Sequence, residues 1–427
     1  MTAAVRFHNP AAGWFGLVNA RAAIPIEDER RRRRSLLPAF AGRQGRGLTG
    51  SATPVWVLKA QRAGDASQVL ALAEALGLPF EVKELARRPV DVALAPPFAA
   101  SLAGLREGEA AKVAGPFPAL VLSAGRENEP VARWIRRASG GRTKVVHVGR
   151  PWAPVDAYDL VVTTPQYRLP ERPNVLQNDA PLHRVTQDRL AEAGRAWAPR
   201  LEHLPRPHIA VLVGGSSGPY ALDRQAGERR GREASALARR LGGSLLITTS
   251  SRTPASALAG LASAIDVPHY LFGWKRGGAG NPYYAFLGLA DEIVVTADSM
   301  SMITEACATA KPVHLFDLGE GAFSMRAPLG LAGEERGPRP NPRRWFKEAG
   351  LATASYRFLL RHLPERLSRD IRLVHQRVVA SGRARWLGEE APAGPRPPLA
   401  DLDRAVERVR ALLADAAPAA PALDRAA

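Results

Sequence analysis

A few short stretches hold the side chains that could do chemistry. Gly214, Gly215, Ser216 and Ser217 follow the apolar run HIAVLV. Glycines there let backbone N–H groups approach an anion, and serines add hydroxyl donors. The next such stretch, TTSSRT, carries Arg252, whose planar donor fork can neutralise a diphosphate. Ser299, Met300 and Ser301 stand where a strand passes into a helix, leaving N–H groups free for phosphate oxygens. Glu305, a turn or so into that helix, can accept hydrogen bonds from a ribose diol. In the first half of the chain Arg62, Gly64, Asp65 and Gln68 cluster, and Asp65 can deprotonate or hold a sugar hydroxyl. Arg126 and Asn128, after a later strand, would point into the same cleft as acceptor-binding groups.

Each stretch also has a plain structural account. The glycine loop can be an ordinary strand-to-helix turn. Arg252 can be a surface arginine beside a Ser/Thr cap, and Glu305 a salt-bridged surface acid. Asp65 can simply favour the start of a helix through the macrodipole. What argues for the sharper account is recurrence: three consecutive strand ends each offer small donors or a cation. Neither GxGxxG nor GxxxxGK[ST] is present at Gly214, which counts against a dinucleotide or ATP site. His269 and His314 sit on strands and are assigned no chemistry, Cys307 reads as a small core residue, and no His/Asp/Glu cluster has metal-ligand spacing.

The elements that must position these residues follow from periodicity. Strands are expected at 55–58, 80–83, 119–123, 144–148, 160–163, 208–213, 244–248, 269–272, 293–295 and 313–316. Ser67 is expected to cap a helix that Gly77 stops, with residues 59–66 as a loop before it. Ser299 or Ser301 is expected to cap the helix carrying Glu305. Strands alternating with helices call for doubly wound, mostly parallel sheets, and two successive halves place a cleft between them. The expected domains are an Arg-rich disordered arm at 1–52, an N-terminal Rossmann-like acceptor domain at 53–185 and a linker helix at 186–206. A C-terminal Rossmann-like nucleotide-sugar domain follows at 207–345, then helices at 346–415 and a disordered tail at 416–427.

Composition narrows the class. The 427 residues are 46% hydrophobic and 23% charged, as in a globular protein, and no apolar run is long enough to span a bilayer. A single cysteine excludes an intramolecular disulfide. A cytoplasmic location is expected. The net charge is +18, and residues 1–50 hold nine Arg against three acids. This excess suits an anionic membrane surface, such as the inner face of the plasma membrane, better than nucleic acid, for which no recognition helix or aromatic platform is visible.

The motifs VLVGGSSGPY, ITTSSRTP and NPYYAFLGLADEIVVTADSMSMITEACATAKPVHLFDLG resemble the bacterial relatives of the plant "elongated mitochondria" fission protein. QRAGDASQVLALAEALGLP, LVLSAGRENEPVARWIRR and NVLQNDAPLHRV extend the resemblance over roughly residues 54–413. That family is generally treated as glycosyltransferases of the GT-B fold. The second half is also similar, more distantly, to the N-acetylglucosaminyltransferase that completes lipid II. The resemblance implies an α/β, GT-B-like chain with two doubly wound domains facing a cleft, followed by C-terminal helices. It implies Gly214 to Ser217 and Ser299 to Ser301 near the diphosphate of a UDP-sugar, Glu305 on its ribose, and no bound cofactor or metal. The acceptor would be a glycan or lipid-linked hydroxyl. Two departures stand out. The first-domain loop reads RAGD where the lipid II enzyme has a glycine- and histidine-rich loop, and TSSR stands where two adjacent arginines are expected. Two other functions fit the same plan: a catalytically inactive membrane-surface adaptor of the fission-protein type, and a nucleotide-sugar epimerase.

Overall fold

The computed structural model describes residues 55–87, 100–217, 220–275, 280–319, 324–326, 369–390, 396 and 398–415. The Arg-rich arm, the tail, Gly218 and the expected start of the C-terminal helices lie outside these. Both sheets fall within one compact unit, Thr53–Ala427.

The first sheet contains β1 (Val55–Leu58), β2 (Phe80–Lys83), β3 (Leu120–Ala124), β4 (Lys144–Val148), β5 (Leu160–Thr163) and β6 (Val175–Gln177), in the order β2-β1-β3-β4-β5-β6. Every pairing is parallel. Successive side chains leave a strand on opposite faces, so Val55 and Val57 enter one core while Trp56 and Leu58 enter the other. Because both faces of the central strands β1, β3, β4 and β5 are covered, these are largely apolar rather than alternating, whereas β2 at the edge is exposed and mixed in character.

The second sheet contains β7 (His208–Val213), β8 (Ser244–Thr249), β9 (His269–Phe272), β10 (Glu292–Thr296), β11 (Val313–Phe316) and β12 (Arg385–Trp386), again all parallel, in the order β12-β11-β10-β7-β8-β9. The expected plan of two doubly wound parallel sheets is therefore the one observed. The chain leaves β1 toward β2 and returns to build on β1's other side; it does the same about β7. The two switch points, β1/β3 and β7/β10, are where a doubly wound sheet opens a crevice at its carboxyl edge.

Helices cover the sheets: α1 (Ala63–Leu76), α2 (Glu129–Ala138), α3 (Gln187–Trp197), α4 (Arg224–Leu241), α5 (Ala255–Ser263), α6 (Tyr283–Leu289), α7 (Met300–Cys307), α8 (Arg372–Ala380) and α9 (Asp401–Ala414). Two local expectations are corrected. Helix α1 starts at Ala63, so Gly64 and Asp65 lie in its first turn and Ser67 is internal, not a cap. Asp65 favours the exposed N–H groups of that turn, which lets the helix begin earlier than its apolar stripe suggests. In α7 the N-cap Ser299 makes no side-chain cap bond, and Ser301 is already helical.

Helix α9 returns to the first sheet: Ala405, Val406 and Val409 join the core of Val55, Leu72 and Leu120. Helix α8 belongs to the second core through Val374 and Val378.

Candidate functional site

At the β7/β10 switch point the glycines are set by close packing. A Cβ on Gly214 would stand 2.4 Å from Asp298 Oδ1, and one on Gly215 would stand 2.6 Å from both Cβ and the carbonyl oxygen of Arg252. The Gly214 N–H donates to Thr296 Oγ1 at 2.7 Å and the Gly215 N–H to Asp298 Oδ2 at 2.9 Å. Two N–H groups expected to cradle a phosphate thus already bind this protein's own oxygens. Ser250 and Thr253 donate their hydroxyls to the Gly214 carbonyl at 2.9 and 2.5 Å, locking the β8 loop onto the β7 loop.

Arg252 is exposed, and its Nη2 lies 2.9 Å from Asp298 Oδ2, with Nη1 3.4 Å from the Ser216 carbonyl. Ser216 Oγ accepts from the Leu222 N–H at 2.9 Å, and Ser217 exchanges backbone hydrogen bonds with Tyr220. Beneath this layer Arg230 is wholly buried and donates to the Leu212 and Val294 carbonyls at 3.0 and 3.3 Å. Its Nε and Nη1 have no partner, and burial lowers its pKa to about 9 against the opposing pull of Asp298. Burial also raises the Asp298 carboxyl, opposed first by Arg252. One oxygen of Asp298, Oδ1, is buried without a partner. His375 of α8 closes the layer from behind, its Nε2 2.7 Å from the Ala297 carbonyl.

Ser299 and Met300 are buried at the start of α7. Glu305, two turns on, is buried too, and Tyr283 donates its hydroxyl to Oε2 at 2.5 Å. Burial raises the Glu305 pKa to about 7, with the Tyr283 hydrogen bond and then Arg184 and Arg189 opposing the rise. Those arginines also meet the first lobe: Arg184 Nε donates to Glu74 Oε2 of α1 at 3.0 Å, and Arg189 Nη2 lies 3.7 Å from the same oxygen.

Ser301 joins the two lobes directly. A Cβ built on Gly64 would stand 3.0 Å from Ser301 Oγ, so the first turn of α1 abuts the first turn of α7. Asp65, the next residue, is half-buried; desolvation raises its pKa, while Arg62 chiefly opposes the rise and Glu127 adds to it. Arg62 is exposed at the N-cap of α1. Gln68 turns inward along α1, its Nε2 3.4 Å from the Gly64 carbonyl. Arg126 lies over the Trp152 ring, 4.7 Å from its centroid. Asn128 is a clamp within the sheet. It donates to the Leu58 and Ala124 carbonyls at 3.1 and 3.0 Å and accepts from Arg87 at 3.1 Å, buried away from the cleft.

The arrangement therefore gathers Gly215, Arg252, Ser216 and Ser299 on one loop layer, and Asp65 and Ser301 at the seam between lobes. Asp298, Arg230 and His375 were missed by sequence reasoning. Asp298 lies in the TADS turn already singled out. Arg230 falls on the inward stripe of α4 with Ala226, Gly227, Gly231 and Ala234, a stripe disguised by the arginines around it. His375 carries no local signal. Among the described residues no group of three or more His, Cys, Asp and Glu converges as a metal site would, and no helix is long and apolar enough to cross a membrane.

Against known proteins, the family model described as "Mitochondrial fission ELM1" matches residues 63–327. "Mitochondrial fission protein ELM1" of Arabidopsis thaliana is 28% identical over 222 residues, 46% of this chain and 51% of the plant protein, so the match spans about half of that relative. Solved structures of similar outline include the E. coli ADP-heptose LPS heptosyltransferase II, at TM-score 0.41 and 13% identity over 85% of this chain and 99% of that one. Acinetobacter baumannii MurG gives TM-score 0.35 and 14% identity over 84% and 99%. The Methanocaldococcus jannaschii UDP-GlcNAc 2-epimerase, solved with UDP-GlcNAc and UDP, gives TM-score 0.40 and 10% identity over 84% and 99%. The family model covers well over half of the sequence, and the chain belongs to the mitochondrial fission ELM1 family.

Proposed function

We propose that the protein transfers a sugar from a nucleotide-sugar, UDP-linked, to a hydroxyl of a glycan or lipid-linked acceptor. The observation that carries this reading is the seam at Gly64 and Ser301, where the first turn of α1, which holds Asp65, abuts the first turn of α7. In the proposed reaction the acceptor oxygen forms a bond to the anomeric carbon while the bond from that carbon to the diphosphate breaks. The acceptor proton passes to Asp65, whose desolvated carboxylate is a stronger base than one in water. Arg252 and the first-turn N–H groups of α7 stabilise charge on the departing diphosphate, the role a metal ion has elsewhere. Glu305, oriented by Tyr283, accepts from the ribose hydroxyls.

Calorimetric titration with UDP tests the donor half of this reading. Glu305→Ala is expected to weaken binding by about tenfold or more, the usual cost of losing a hydrogen bond to a charged group. Equal affinity in both proteins removes the ribose assignment.

One observation favours a second reading, that of an adaptor without catalysis. The N–H groups of Gly214 and Gly215 are already satisfied by Thr296 and Asp298. No UDP binding at millimolar concentration would select it.

A further inference from the structure

The β7/β10 switch point already holds an oxyanion, and it is the protein's own. The Asp298 side chain is wholly buried; its Oδ2 accepts from the Gly215 N–H at 2.9 Å and lies 2.9 Å from Arg252 Nη2. A main-chain N–H beside a guanidinium fork is the donor set that binds a phosphate oxygen. Gly214 makes room for this carboxylate, since a Cβ there would collide with both of its oxygens.

Behind that seat lies a second guanidinium with donors to spare. Arg230, wholly buried on the inward stripe of α4, donates Nη2 to the Leu212 and Val294 carbonyls, so it straddles β7 and β10. Leu212 stands two residues before Gly214, about 7 Å along a strand, and Val294 stands four before Asp298. Arg230 Nε and Nη1 and Asp298 Oδ1 are all buried without a hydrogen-bond partner among the described residues. The carboxylates whose charge acts on Arg230 are Asp298 and Glu233, and Glu233 is shared with Arg229, whose Nε lies 3.8 Å from its Oε1. Leaving two guanidinium donors and a carboxylate oxygen unbonded in the interior is costly, and a change of Asp298 rotamer is the motion that would pair them.

We infer that Asp298 is the resident counter-ion of a phosphate seat and Arg230 its receiver: when a phosphate takes Gly215 and Arg252, the Asp298 carboxylate turns inward onto the unused edge of Arg230. Arg230 is then a positioning residue that never touches the ligand. The exchange keeps every buried charge paired, because Arg252 passes from a carboxylate to a phosphate while Asp298 passes from one guanidinium to another. The inference rests on the reading above in placing a diphosphate at this loop, but not on the nucleoside or on sugar transfer.

Calorimetry on the full chain with pyrophosphate tests the exchange through a cycle of Asp298→Asn, Arg230→Gln and the two together, with UDP titrated in parallel. Asp298→Asn is expected to bind pyrophosphate several-fold more tightly than wild type. Arg230→Gln should weaken binding about tenfold in the wild-type background, where Asp298 loses its receiver, and about twofold or less beside Asp298→Asn, where nothing needs receiving. Arg252→Gln, which removes a contact to the probe itself, should weaken binding in both backgrounds. Equal losses from Arg230→Gln in the two backgrounds overturn the inference, since a long-range field or a merely structural role gives that result. Pyrophosphate binding by none of the proteins at millimolar concentration, or only by those carrying Asp298→Asn, overturns it as well. If Arg230→Gln does not fold, Arg230→Lys is read in both backgrounds instead: it keeps the charge without the fork, a loss of about threefold is expected in wild type and none beside Asp298→Asn, and equal losses overturn the inference. The cycle as expected, with UDP bound no more tightly than pyrophosphate, removes the nucleotide-sugar reading and leaves the exchange standing. UDP binding that depends on Glu305, with equal losses from Arg230→Gln, does the reverse.

Discussion

At the scale of single residues, Glu305 and Asp298 show opposite uses of a buried carboxyl. Glu305 has an ordinary value of 4.5 and a folded value of about 7. Between those values the folded chain holds a proton that the unfolded chain has released, so its contribution to stability is greatest below 4.5 and is lost as the pH rises through 7. Glu305→Gln is therefore expected to be more stable than wild type above pH 7, by about 1–3 kcal/mol, in urea titrations at pH 8. Under the proposed function the same ionisation gives UDP binding that weakens several-fold from pH 8 to 6 in wild type and stays flat in the glutamine variant. Asp298 holds Arg252 and the Gly215 N–H, groups that a diphosphate would also want. Asp298→Asn should release Arg252 and tighten pyrophosphate binding several-fold by calorimetry. It should also cost about 1–3 kcal/mol of stability, because buried Arg230 loses its counter-charge. The types at the site were legible: Arg252, Glu305 and the glycines all lie where strand ends bring them. Their partners were not, because Asp298 meets Gly215 across a gap of 83 residues and only the paired strands close that distance.

At the scale of elements, most strands were legible because both of their faces are buried and the apolar runs are unbroken. The two that were not, β6 and β12, are edge strands of three and two residues. Asn128 was misread because a polar residue after a strand looks the same whether it faces a cleft or clamps β1 to β3. The start of α1 was misread because its first turn is Gly-Asp, and only contact with Ser301 shows why glycine is there. The α4–α5 contact is equally tight: a Cβ on Gly227 would stand 2.2 Å from the Ala257 carbonyl oxygen. Gly227→Ala should lower stability by about 1–3 kcal/mol in thermal unfolding, since backbone and not a flexible side chain must yield. His375 on α8 offers a pH test. Its pKa is lowered to about 4 by burial, so the stability it permits is full above 6.5 and is lost as the pH falls from 6.5 toward 4. His375→Gln should flatten that acid limb of the melting temperature.

At the scale of the whole molecule, the two sheets meet through α1 and α7 and through the segment before α8. There Asp370 takes an ion pair from Arg168 at 3.3 Å and donates its N–H to the Gln166 carbonyl at 2.9 Å. Removing residues 401–415 should expose the core around Val406 and Val409 and cost several kcal/mol, read as a lowered melting temperature with aggregation. Asn178 Nδ2 donates to the Asp401 carbonyl at 3.2 Å, and the Asp179 N–H to Asp401 Oδ1 at 2.8 Å. The chain thus departs for the rear half and comes home at almost one spot. Topologically the rear half is a guest spliced into the front one, hung like a door with both straps on the same post. Any change of angle between the halves would be borne beside that post and at the contacts of Gly64 with Ser301, Arg184 with Glu74 and Arg168 with Asp370.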